Sequence, residues 1–219
     1  MRCLICESEC SSFMDEGTDS LTHHCSECDL IFKDPSLFQD LSTQKLRYDL
    51  HQNSAEDMGY RAYFQKFIEF VLSSMGERDY PKSGLDFGSG RSSLLADIMS
   101  DIGITTLPYD PVYRADEKLL DRRYDIVTSV EVFEHLTDPL SSLKQIVSMV
   151  SSGGLVAIRT EFHHGVDGHA KWYYPKDPTH ILFYTPKTFE KLSEIFGCKI
   201  VAHNEKNMIL LEVLEHSIS

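Results

Sequence analysis

The chain has no apolar run of the roughly 18 residues that a bilayer-spanning helix needs. Its first residues, Met1-Arg2-Cys3-Leu4, lack a basic segment followed by a long apolar one, so no secretory signal is expected. Basic runs are absent too; the longest is Arg122-Arg123, flanked by Asp121 and Asp125. With 21 Lys and Arg against 34 Asp and Glu, the net charge is −13. Proteins that bind nucleic acid displace counterions from phosphates with a basic face, so this balance argues against such a partner. Internal repeats and low-complexity segments are also missing. These absences point to a cytoplasmic protein with no membrane partner, its six cysteines held as reduced thiols or metal ligands.

What is present fits one α/β domain and a small appendage. The chain has 219 residues, 42% of them hydrophobic and 11% aromatic, enough for a real core. The spacing predicts an appendage over 1–34, a connector and helix over 35–82, and a catalytic domain over 83–219. The helix is expected from Ser54, with Asp57 as a partial capping box. Its apolar face would carry Tyr60, Tyr63, Phe64, Phe67, Ile68, Val71, Leu72 and Met75.

The catalytic stretch reads strand, glycine turn, helix, strand. Leu85-Asp86-Phe87 runs into Gly88-Ser89-Gly90, where bare backbone lets a ligand approach closely. The next strand, Ile104–Tyr109, ends in Asp110. The pattern is not the dinucleotide G-x-G-x-x-G, because its sixth position is Ser93 and an acid stands two places before the first glycine. Only thirteen residues, Pro111 to Arg123, precede the next strand at Tyr124–Val130, too few for a usual helix–strand–helix passage. Asp138-Pro139 opens a helix, Gly153-Gly154 is expected to close it, and Leu155–Arg159 is a further strand. Thr185-Pro186 opens the last helix and Gly197 ends it. A closing strand pair, Lys199–Ala202 and Met208–Leu214, follows.

Asp86-x-Gly88-x-Gly90, Asp110, Tyr124-Asp125-Ile126-Val127, Glu131-x-x-Glu134-His135 and Gly153-Gly154 stand in the order seen in class I methyltransferases that use S-adenosylmethionine, and the chain from about Ser83 onward resembles that family. The resemblance implies a Rossmann-like sheet with a C-terminal antiparallel strand. It assigns the cofactor to Asp86, Gly88, Ser89, Gly90, Asp110, Glu131 and Tyr60, with Asp86 at the methionine end and Asp110 on the ribose hydroxyls. The family's third glycine is Ser92 here. Tyr48, His51 and Asn53 lie where relatives place a segment over the cofactor.

Cys3-x-x-Cys6 and Cys25-x-x-Cys28 form C-x2-C-x18-C-x2-C, the spacing of a four-thiolate zinc site. Cys10 is a spare thiol, and His23 and His24 are possible substitutes for Cys25. The module carries eight acids against Arg2 and Lys33, so it reads as a structural or substrate-covering piece and not a nucleic-acid reader. A zinc ribbon joined to such a domain resembles a group of bacterial methyltransferases, which also share a segment like Trp172 to His180 followed by Phe183 and Thr185-Pro186.

Acceptor chemistry is expected beyond the carboxyl ends of the strands. His135, His180 and Glu134 are the catalytic candidates there, with His163 and His164 as alternates to His180. Glu131-x-x-Glu134-His135 also resembles a metal-binding set of quinone-ring O-methyltransferases and of enzymes that methylate the terminal ribose of small RNAs. By that likeness Glu131, Glu134, His135 and His180 would share a second divalent ion. Otherwise His135 or His180 would act as a simple base. The aromatic loop from Ala170 to Phe183 is expected to line the pocket of a small-molecule acceptor. A methyltransferase-like scaffold without activity, and an RNA methyltransferase, are the alternative readings.

Overall fold

The computed structural model describes residues 1–39, 43, 45 and 58–214. Its strands and helices run β1 (Ser11–Asp15), β2 (Ser20–His24), β3 (Ile31–Lys33), α1 (Met58–Ser74), β4 (Ser83–Phe87), α2 (Leu94–Asp101), β5 (Thr105–Tyr109), β6 (Tyr124–Val130), α3 (Pro139–Ser148), β7 (Val150–Arg159), α4 (Val166–His169), β8 (Leu182–Phe183), α5 (Pro186–Phe196), β9 (Cys198–His203) and β10 (Met208–Val213). The connector residues Tyr48, His51 and Asn53, and the expected helix start at Ser54, lie outside the described residues.

The larger sheet has the order β5-β4-β6-β7-β10-β9. β4 pairs parallel with β5 and β6, and β6 with β7; β10 is antiparallel to both β7 and β9. This is the Rossmann-like sheet with a reversed C-terminal strand that the motif order implied. Alternation along the strands feeds two cores. Val127, Val156, Ile158, Ile209 and Leu211 face one side, with Leu143 and Ile146 of α3 and Phe189 and Leu192 of α5. Ile126, Leu155, Ala157 and Leu210 face the other, with Phe64, Phe67, Ile68 and Val71 of α1 and Leu94, Leu95, Ile98 and Met99 of α2. The α1 stripe predicted from periodicity is therefore the core face, while Tyr60 and Tyr63 at its first turns are only half-buried.

Between β5 and β6 the described chain forms a turn and a short 3-10 helix, Glu117–Leu119, and no strand. β5 is thus an edge, and it carries Pro108, which cannot donate to a further strand. One boundary differs from expectation. α3 ends at Ser148 and β7 begins at Val150, so Gly153-Gly154 lies inside the strand. The pairing with β6 shifts register there, and Gly153 takes φ +74°. A Cβ on Gly154 would come within 2.8 Å of the Asp125 carbonyl oxygen. The pair serves a bulge and not a helix stop.

The small sheet has the order β1-β2-β3-β8. Ile31 stands opposite Phe183 and Phe32 opposite Leu182, so its last strand comes from the catalytic stretch. Cys3, Cys25, Cys28, Leu30 and Phe32 pack in the same core as α3 and α5. An N-terminal piece too poor in apolar residues to have its own interior borrows one from the larger sheet.

Candidate functional site

β4 and β5 end side by side at the mouth of the sheet. Gly88 takes φ +80°, and a Cβ there would stand 2.4 Å from a Val132 methyl, so only glycine fits. The N–H groups of Gly88 and Ser89 donate to the Tyr109 carbonyl at 2.8 and 3.0 Å, tying the glycine turn to the neighbouring strand. Ser92, in place of the family's third glycine, accepts from the Leu94 N–H at 3.2 Å and helps start α2.

Asp110 accepts from the backbone of Gly90 at 3.0 Å, Val112 at 2.8 Å and Tyr113 at 2.9 Å. Three backbone donors hold a carboxylate that has about four acceptor positions. Asp86 is 4% exposed and accepts from the Thr128 hydroxyl at 3.1 Å. Burial pushes its carboxyl up to about 7.

Across the mouth, β6 delivers Glu131 and the 3-10 turn Phe133–His135. Glu134 is fully buried. One oxygen accepts from Thr160 at 2.8 Å, and Oε1 has no hydrogen-bond partner among the described residues. Burial raises its carboxyl. His135 Nδ1 meets the Thr179 carbonyl at 2.9 Å, which leaves Nε2 3.8 Å from Glu134 Oε1. His180 Nδ1 meets the Tyr174 carbonyl at 2.8 Å, and its ring crosses that of His135 with centroids 4.8 Å apart. Burial and the adjacent His135 push His180 down to about 3. Ligand atoms of Glu134, His135 and His180 lie within 4.8 Å of one another.

The family model for a methyltransferase domain matches residues 57–203, which include every group of this mouth. The chain belongs to the methyltransferase-domain family. No curated protein matches the sequence. Among solved structures, an O-methyltransferase family protein from Burkholderia thailandensis superposes with TM-score 0.52 at 10% identity, over 80% of this chain and 63% of that one. This chain thus spans less than two thirds of that protein. The plantazolicin methyltransferase BpumL, solved with a pentazolic desmethylPZN analog and SAH, gives TM-score 0.51 at 13% identity, over 82% and 94%. At such identities the likeness is one of fold.

Within this methyltransferase domain, five of the seven residues expected at the cofactor end lie together, while Tyr60 and Glu131 stand apart from them. Asp86, Gly88, Ser89, Gly90 and Asp110 share one loop cluster. Tyr60 packs its ring on Phe64, with centroids 4.6 Å apart, beside Tyr63. Glu131 departs from the metal set proposed for it, since it lies outside the Glu134–His135–His180 group. The cause is local. Glu131 takes φ +54°, and its carboxylate accepts from Tyr63 at 2.6 Å and Tyr174 at 3.1 Å, with Arg159 Nε 3.7 Å away. Burial and the neighbouring Glu134 charge push it up to about 8. His163 also leaves the group: its Nε2 meets the Asp29 carbonyl at 2.7 Å, below the second cysteine turn.

Tyr63 and Arg159 were not legible as site residues, whereas Tyr174 lies in the aromatic loop expected to line the pocket. Tyr63 reads as core in a helical stripe and Arg159 as a strand end; only position at the mouth distinguishes them. The small sheet braces the 170–183 loop. Buried Lys33 donates to the carbonyls of Pro175 at 2.8 Å and Asp177 at 3.2 Å, on the loop that bears Tyr174 and His180.

The cysteines occupy two near-identical turns. The N–H groups of Cys3 and Cys25 each donate to the carbonyl five residues on, Ser8 and Leu30, both at 2.9 Å. Glu7 and Asp29 then take φ +58° and bond back to the cysteine carbonyls. Cys3 and Cys28 sulfurs are 3.5 Å apart and Cys6 and Cys25 sulfurs 3.4 Å. Thiolates about 2.3 Å from a tetrahedral zinc would be about 3.8 Å apart, so the four fit that ion with a small outward shift. Cys10 points its thiol at the Ser8 carbonyl instead. His23 and His24 bind Asp34 and Asp29, not the group.

Proposed function

We propose that the protein transfers a methyl group from S-adenosylmethionine to a small-molecule acceptor in the cytoplasm, with zinc held by Cys3, Cys6, Cys25 and Cys28. The observation that carries the reading is the facing of two unlike groups across one mouth. Asp86, Asp110 and the glycine turn stand on one side, and Glu134, His135 and His180 on the other. A neighbour of the same fold was solved with SAH bound, which agrees with a nucleoside site at this turn.

When bound, the cofactor supplies an electrophilic methyl on sulfur. The chain's own residues do the rest. Asp110 offers acceptor positions to vicinal hydroxyls, and the backbone bonds of Gly88 and Ser89 fix the turn against which the ligand lies. The acceptor is held in line with the methyl, where orientation is a large part of catalysis. His180, kept neutral by burial, accepts a hydrogen bond from the attacking atom and orients it, and the adjacent His135 takes the proton released. Glu134 holds the surroundings of the two rings polar and fixed.

A second reading is favoured by one observation, the unpaired buried oxygen of Glu134. Glu134 and the Nε2 atoms of His135 and His180 would hold a divalent cation, each histidine being oriented by an Nδ1–carbonyl bond as metal-bound histidines are. Such an ion lowers the pKa of an acceptor hydroxyl.

Titration calorimetry with SAH tests the cofactor half. Binding is expected, and Asp110→Ala should weaken it by about 1–3 kcal/mol, the scale of lost charge-assisted bonds. Wild-type protein that takes up no SAH would leave a scaffold as the function. With labelled cofactor and a metabolite extract, His180→Ala should abolish labelling while SAH affinity holds. Loss on chelation, restored by a divalent ion, selects the cation reading.

A further inference from the structure

Arg159 ends β7 at the mouth and is 9% exposed. Its guanidinium lies over the Tyr63 ring, 3.7 Å from the centroid. Nε is buried without a hydrogen-bond partner. Among the described residues, no carbonyl, carboxylate or hydroxyl accepts a hydrogen bond from this guanidinium. The one neighbouring acid, Glu131, stands 3.7 Å from Nε, beyond hydrogen-bond range. Its two oxygens already accept from Tyr63 and Tyr174. A guanidinium nitrogen buried with its donor unused is costly unless a partner arrives.

We propose that Arg159 binds a carboxylate carried by the methyl acceptor. The inference rests on the methyl-transfer reading above and adds the chemical class of its substrate. Three points favour it. The planar fork of arginine matches a carboxylate through two parallel bonds. Tyr63 fixes the plane of that fork, so little freedom is lost on binding. β7 is separated from β4 by β6, two strand spacings or about 10 Å from the glycine turn. That places Arg159 on the side of His135 and His180, away from Asp86 and Asp110.

The test uses the full zinc-loaded chain saturated with SAH, titrated with benzoate and with its neutral match, benzamide. Benzoate should bind the wild type at least tenfold more tightly. Arg159→Gln should erase the difference and Arg159→Lys restore part of it, with SAH affinity and thermal midpoint held in both. Equal binding of acid and amide, or no binding of benzoate, overturns the proposal. If Arg159→Gln instead weakens SAH, the arginine serves the cofactor's own carboxylate and the proposal falls. If the variant lowers the midpoint and Arg159→Lys does not recover the benzoate preference, the role is structural and it falls likewise. Failure of the wild type to bind SAH at all would be failure of the methyl-transfer reading itself.

Discussion

The two halves of the mouth are built on different principles. On the β4–β5 side each carboxylate is held by neighbours near in sequence or on the next strand: Asp110 by three backbone N–H groups, Asp86 by Thr128. On the β6–β7 side the groups come from α1, β6, β7 and the 170–183 loop, and some are left unsatisfied, namely Glu134 Oε1 and Arg159 Nε. Glu131 there also holds a left-handed backbone. Unspent donors and acceptors, with strain, accumulate where a ligand completes the site. The first half is prepared by its own backbone; the second depends on distant pieces, the cysteine-bearing sheet among them.

That dependence can be broken most severely at the four-cysteine group. Structural zinc contributes about 10–16 kcal/mol in isolated small modules. Here the shared core carries part of that load, so Cys25→Ser should cost several kcal/mol and lower Tm by about 10 °C or more. The loop that holds Tyr174 and His180 should loosen, because Lys33 and β3 position it, while SAH affinity changes by less than about threefold, well under 1 kcal/mol. Elemental analysis, thermal unfolding and SAH calorimetry on one preparation check all three. A metal-free wild type with unaltered Tm would contradict the contrast.

A smaller effect concerns Asp86, whose carboxyl burial pushes up to about 7, against about 3.9 in an unfolded chain. Between those values the folded protein keeps a proton that the unfolded chain has released, so stability falls as pH rises from about 4 to 7. The fall is on the order of 4 kcal/mol for a shift of this size. Asp86→Asn should remove it. The comparison is Tm at pH 5 and pH 8, wild type against variant; parallel profiles would show that Asp86 is not held protonated.

The mildest change sharpens the β6–β7 half. Tyr63→Phe removes one hydrogen bond to Glu131 and keeps the ring beneath Arg159. A cost of about 0.5–1.5 kcal/mol in chemical denaturation is expected, as for one hydrogen bond. SAH binding should not change. A loss of SAH affinity would move Tyr63 to the cofactor half and weaken the division.

Much of this was legible before the fold. Asp86, Gly88, Gly90 and Asp110 announce themselves because backbone geometry demands particular residues at fixed spacing: glycine where φ is positive and a side chain would meet Val132, an acid where N–H groups converge. The paired cysteine turns are local in the same way. The reversed last strand followed from a hairpin-like pair after the final helix. Gly153-Gly154 misled, since a glycine pair after a helix reads as a stop, and only strand register reveals a bulge.

By itself, then, the sequence determined the fold class, the glycine turn with its two acids, and the thiolate group, because each depends on short-range backbone chemistry or periodic burial. Tertiary structure alone decided that β3 pairs with β8 and that Lys33 braces the 170–183 loop. It also turned Glu131 toward two tyrosines and kept it out of the Glu134–His135–His180 group. It alone left Arg159 Nε buried over Tyr63 without a hydrogen bond. Those outcomes depend on contacts between residues tens to more than a hundred positions apart, where strand register and side-chain packing select the neighbours and no local pattern encodes them.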